Sequence, residues 1–92
     1  MIRELQREAY ETAKRNGYNV DCGNEEHLKQ IAGEVIEAMA SYNPDIYTSE
    51  DIPLELADIV IRVMTMAEAE DIDLEAAILA KMKKNKERAD RG

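Results

Sequence analysis

The sequence predicts an all-α protein, four helices in a single domain spanning residues 1–92. Three observations carry this. Apolar residues recur at three- and four-residue intervals in four segments, and no segment alternates with the period of two that a strand needs. Four Gly and two Pro are too few for the many tight turns of a small barrel or sandwich. Phe and Trp are absent, so the core must come from Leu, Ile, Val, Met and Ala, in a chain that buries only about 60–65% of its unfolded surface.

The first helix is expected from about Ile2 to Arg15, with Ile2, Leu5, Ala9 and Ala13 as its apolar stripe and Gly17 as its stop. The second starts near Asn24, a good N-cap followed by Glu25 and Glu26. Its stripe is Leu28, Ile31, Val35, Met39 and Tyr42, and Asn43-Pro44 ends it. Residues 45–52 read as a loop. The third helix begins near Pro53, with Ser49 or Asp51 available as a cap, and runs to about Glu70. Asp71-Ile72-Asp73 separates it from a fourth helix that Asp73 caps and that reaches about Ala89.

Charge narrows the function. The net charge is −8, and residues 16–80 hold 15 acids against two bases, Lys29 and Arg62. Such an acidic surface repels nucleic acid. No apolar run approaches the ~18 residues of a membrane span, the N-terminus has no apolar leader, and the lone Cys22 fits a reducing compartment, so a cytoplasmic protein is expected. Residues 81–92 reverse the sign, with six bases and two acids.

The third helix is unusual. From Leu56 to Ala67 nine of twelve residues are apolar, so burial nearly all round is expected. Three other short helices do not suffice to cover it, which points to a homodimer or homotetramer that completes the bundle. The polar residues Glu55, Asp58, Arg62 and Thr65 fall within an arc of about 80°. An internal salt bridge from Arg62 to Asp58 is the plain reading of this seam. It leaves Glu55 unexplained, and a buried unpaired carboxylate is costly.

The second helix supplies another pair, Glu34 and Glu37, whose plain reading is a solvated acidic face. Together the pairs read E-x-x-E, 17 residues, then E-x-x-D. If these helices pack as an antiparallel hairpin, four carboxylates converge, and hard oxygen donors suit Mg²⁺ or Mn²⁺. A di-iron bundle would want two Glu-x-x-His motifs, and the only histidine, His27, has Asn24 three residues before it. One Cys and one His disfavour zinc. On the fourth helix the stripe Leu74, Ala77, Ile78 continues into Lys81, Asn85 and Arg88. These should turn inward or toward a cleft, as phosphate ligands beside a metal or simply as partners of the helix dipole.

These residues resemble the MazG-type all-α nucleoside triphosphate pyrophosphohydrolases. The likeness lies in Gly33-Glu34-Val35-Ile36-Glu37-Ala38, in Glu55-Leu56-Ala57-Asp58-Ile59-Val60-Ile61, and in the stretch from Asp71 to Arg88. Glu11 to Tyr18 is similar to the N-terminal segment of small, phage-type MazG-like members. The resemblance implies Mg²⁺ held by Glu34, Glu37, Glu55 and Asp58, phosphates met by Lys81, Asn85 and Arg88, and hydrolysis of (deoxy)nucleoside triphosphates to monophosphate and pyrophosphate. Of the catalytic candidates Glu37 and Glu34, Glu37 lies further from the apolar stripe of its helix and is the one expected to accept the proton of the attacking water. Tyr18 is the first choice for stacking on the base, before Tyr10, Tyr42 and Tyr47. The alternatives are a non-catalytic helical regulatory module of the same fold, or a specialised relative such as a dUTPase-like enzyme or a phosphoribosyl-ATP pyrophosphatase.

Overall fold

The computed structural model describes the backbone of residues 1–41 and 51–91 and the side chains of residues 1–40 and 52–88. Four helices and no strand are formed among the described residues: α1 (Ile2–Arg15), α2 (Asn24–Ser41), α3 (Asp51–Ala69) and α4 (Leu74–Arg91). Tyr42, Asn43-Pro44, Tyr47 and Ser49 lie outside the described residues.

The helix ends follow from local chemistry. After α1 the Gly17 amide donates to the Lys14 carbonyl (3.1 Å) and the Tyr18 amide to that of Ala13 (3.0 Å). This paired closure requires a left-handed residue, and Gly17 supplies it at φ +88°. The same closure ends α3, where the Asp71 amide reaches the Glu68 carbonyl and the Ile72 amide that of Ala67. There the left-handed residue is Asp71 itself, at φ +56°, a conformation Asp tolerates better than most side chains. At the start of α4 the Asp73 carboxylate accepts from the Ala76 amide (3.1 Å), the expected cap.

Two boundaries shift. The His27 amide donates to the Gly23 carbonyl, so Gly23 occupies the cap position of α2 and Asn24 is already helical. Helix α3 opens at Asp51, so Asp51 and Ile52 belong to it rather than to a loop, and Pro53 falls within its first turn.

Helix α3 is the centre, packed against both α1 and α2, whereas α4 meets mainly α1. Val20, Met64 and Ala67 are buried together with three polar side chains, Gln6, His27 and Thr65. His27 and Thr65 are hydrogen-bonded inside, and Gln6 is bonded through its amide nitrogen while its Oε1 has no partner among the described residues. Gln6 Nε2 donates to Glu68 Oε1 (3.1 Å) and to the Ile72 carbonyl (2.9 Å), tying α1 across the α3–α4 junction. His27 Nε2 lies 2.9 Å from the Val20 carbonyl and Thr65 Oγ1 donates to the Ile61 carbonyl. One turn before Gln6, at the start of α1, the Ile2 amide donates to Glu75 Oε1 (2.8 Å).

The apolar stripes do not all turn inward. On α2 the face that carries the half-buried and buried residues is His27, Gln30, Ile31, Glu34 and Ala38, while Leu28, Val35 and Met39 are exposed. The exposed row is displaced from the inward face by about 100° around the helix. Helix α3 is buried only in its second half, with Leu56, Val60 and Ile61 at 56, 51 and 44% exposure. On α4 only Leu74 of the expected stripe is half-buried. Within one chain the first half of α3 stays largely exposed, because α4 packs mainly on α1 rather than on α3.

Candidate active site

A cavity of about 630 Å³ opens between α1 and the paired helices α2 and α3. That is ample for a nucleotide-sized ligand. The wall from α2 carries Glu34 and Glu37, and the wall from α3 carries Asp58, Ile61, Arg62, Met64 and Thr65. The three- and four-residue spacings found in the sequence put these side chains on one face of each helix. The opposite wall is the edge of α1, where Leu5, Ala9 and Ala13 run beside Glu8, Thr12 and Asn16, and Tyr18 closes the rim just past the Gly17 turn.

Arg62 is the hub. Its Nε donates to Glu34 Oε1 at 3.2 Å and its Nη1 to Gln30 Oε1 at 3.4 Å. The guanidinium lies 5.1 Å from the centre of the Tyr18 ring, a cation–π arrangement. Both members of the Arg62–Glu34 pair are largely shielded, at 25 and 17% side-chain exposure. The internal bridge to Asp58 expected from the sequence is therefore replaced by a bridge between helices. The rotation of α2 that turns Gln30 and Glu34 toward α3 is the reason.

The other expected site residues divide into two groups. Glu34, Glu37 and Asp58 share the cavity, whereas Glu55 is half-buried on α3 and does not line it. Among the described residues no three carboxylate, imidazole or thiolate groups sit close enough to hold a metal ion. Like charges repel, and Arg62 draws Glu34 toward itself. Lys81, Asn85 and Arg88 are exposed on α4 and do not line the cavity, so they do not turn inward within one chain. Tyr18 stands at the rim as expected, 54% exposed. Tyr10 is engaged elsewhere, donating to Asp21, and its hydroxyl pKa is raised first by partial desolvation and next by that bond.

The polar edge of α1 is absent from the sequence reading. Glu8, Thr12 and Asn16 repeat every four residues immediately beside the apolar Leu5, Ala9 and Ala13. That repeat is a signal for one helical face, but an exposed polar row at this spacing marks ordinary solvated helices just as well.

What the cavity can do follows from its charge. Four carboxylates, Glu8, Glu34, Glu37 and Asp58, face one guanidinium. An anionic ligand enters such a space only with cations. The family model for the MazG nucleotide pyrophosphohydrolase domain matches residues 23–92. The chain belongs to this family. The match takes in α2, α3 and α4 and both carboxylate pairs, and leaves α1 and Tyr18 outside it. Searches of curated proteins and of solved structures gave no match.

Proposed function

We propose that this MazG-family chain is a Mg²⁺-dependent pyrophosphohydrolase that converts (deoxy)nucleoside triphosphates to monophosphate and pyrophosphate, with Mn²⁺ as a substitute metal. The observation that carries the reading is an acidic cavity of nucleotide size, lined by one member or both of each carboxylate pair. The donor set fits a hard cation. All four candidate ligands, Glu34, Glu37, Glu55 and Asp58, offer carboxylate oxygens, and the lone imidazole, His27, is buried against the Val20 carbonyl away from the cavity. When bound, Mg²⁺ would offset the charge of carboxylates and triphosphate and polarise the α-phosphorus.

The chain's own residues supply the rest. Glu37 is exposed on the cavity wall and is the group that would take a proton from the attacking water. Water adds to the α-phosphorus, the bridging oxygen to the β-phosphorus departs, and pyrophosphate leaves. Tyr18 offers a ring face to the base at the rim. Lys81, Asn85 and Arg88 would meet the phosphates only when α4 is brought to a cavity, and a second copy of the chain can do this. Leu28, Val35, Met39, Leu56 and Val60 are exposed apolar side chains on α2 and α3 that such a copy would cover, as a homodimer or homotetramer. No described helix is long and apolar enough to cross a membrane, and the cytoplasm is the proposed setting.

The test is direct. The protein is incubated with each NTP and dNTP and Mg²⁺, and monophosphate and pyrophosphate are measured. Turnover that a chelator abolishes, that Mg²⁺ restores and that Glu55→Gln and Asp58→Asn each remove supports the enzyme. Diphosphate with orthophosphate would indicate the wrong bond, and no turnover on any nucleotide would favour a non-catalytic module.

A further inference from the structure

Among the described residues, Arg62 is the one cation lining a cavity that holds four carboxylates, and its ion pair is with Glu34. Three contacts set the guanidinium in place: the Glu34 oxygen at 3.2 Å, the Gln30 oxygen at 3.4 Å and the Tyr18 ring at 5.1 Å. We infer that Arg62 is a transferable counter-ion: it occupies Glu34 in the free protein and moves to the triphosphate when metal and nucleotide arrive together. The inference rests on the reading of Glu34 as a metal ligand.

The physics is a competition for one oxygen. A divalent cation and a guanidinium cannot both take Glu34 Oε1 at short range without repelling each other. Metal binding at Oε1 in the free protein would break a shielded ion pair, and binding at the second oxygen would leave Arg62 facing a dication across one carboxylate. A triphosphate removes that penalty, because its oxygens match the planar fork of Arg62. Tyr18 and Gln30 do not compete with phosphate for the charge, so they can hold the arginine near the rim while it changes partner. The consequence is reciprocal coupling, in which triphosphate tightens metal binding and metal tightens triphosphate binding by the same factor.

The experiment needs no turnover and no knowledge of the base. Mn²⁺ binding is titrated with and without inorganic triphosphate in the wild type and in Arg62→Gln, Arg62→Lys, Glu34→Gln and the double variant Arg62→Gln with Glu34→Gln. Circular dichroism checks the fold. Without triphosphate, Arg62→Gln should bind Mn²⁺ about fivefold more tightly than the wild type, the worth of a shielded surface pair. Triphosphate should tighten Mn²⁺ binding more in the wild type than in Arg62→Gln, and Arg62→Lys should restore the weak binding of the wild type. Tyr18→Leu, at an exposed position, keeps the fold and should shift Mn²⁺ affinity in the same direction as Arg62→Gln, by less. Mn²⁺ affinity unchanged or lower in Arg62→Gln, while Glu34→Gln still weakens it, overturns the counter-ion role and leaves the metal site standing. If Glu34→Gln changes nothing in either background, the metal reading of Glu34 fails and the inference goes with it.

Discussion

Changing Gln6 to Glu alters one atom type at the joint that holds α1 to the α3–α4 junction. The amide nitrogen that donates to Glu68 Oε1 and to the Ile72 carbonyl becomes an oxygen, inside a residue only 4% exposed. One of the lost bonds is charge-assisted, worth about 1.5–3 kcal/mol, and the other about 1 kcal/mol. A second carboxylate now faces Glu68 where a donor stood, so the expected cost at neutral pH is about 3–5 kcal/mol. For a domain of this size that lowers Tm by about 12–40 °C. The sign of the pH dependence is fixed. Burial and Glu68 raise the folded-state pKa of the introduced carboxyl above its unfolded value. The penalty is therefore present above the unfolded value and fades below about pH 4, where the neutral acid donates a proton to Glu68. Gln6→Met is the control, since it removes both bonds without adding charge and should cost about 1–2 kcal/mol at either pH. Thermal melts of the three proteins at neutral and acid pH are the assay. A Gln6→Glu variant melting within about 3 °C of the wild type at neutral pH would refute the reasoning.

Asp73→Ala removes the cap of α4 and should lower stability by about 1 kcal/mol, read as a Tm loss of about 4–8 °C. Val35→Glu places charge in the exposed row of α2 and should convert an assembly to a monomer in sedimentation velocity while leaving monomer helicity unchanged. The clasp between the N-terminus and α4 should respond to pH at both ends. The terminal amine is raised from 8.0, first by its hydrogen bond to Glu4 and next by that to Glu75, so its contribution is present below 8.0 and lost above the raised value. The Glu75 carboxyl is lowered from 4.5, first by its hydrogen bond to the amine and next by that to the Ile2 amide, so its contribution is present above 4.5 and lost as pH falls through the lowered value. The Ile2 amide resonance, followed by NMR across pH, should hold steady between those limits and move outside them.

Helix identity, order and most boundaries were legible because their causes are local. Gly17, Asp71 and Asp73 act within a few residues of themselves, so composition and spacing reveal them. That Glu34 and Glu37 share one wall was legible for the same reason, since three-residue spacing on a helix places two side chains on one side, whereas the same spacing did not bring Glu55 into the cavity with Asp58. Which way each helix faces was not local. The rotation of α2 that turns Gln30 and Glu34 rather than Leu28 and Val35 toward α3 depends on Arg62 finding Glu34 and Gln30, contacts between residues far apart in the chain. The sequence alone determined four helices, an acidic character and a set of carboxylates suited to a hard cation. Only the tertiary structure decided that Arg62 joins Glu34 across helices, that α1 walls the cavity, and that Lys81, Asn85 and Arg88 on α4 lie exposed outside it, because the energy of burying a face is settled by the partner it meets.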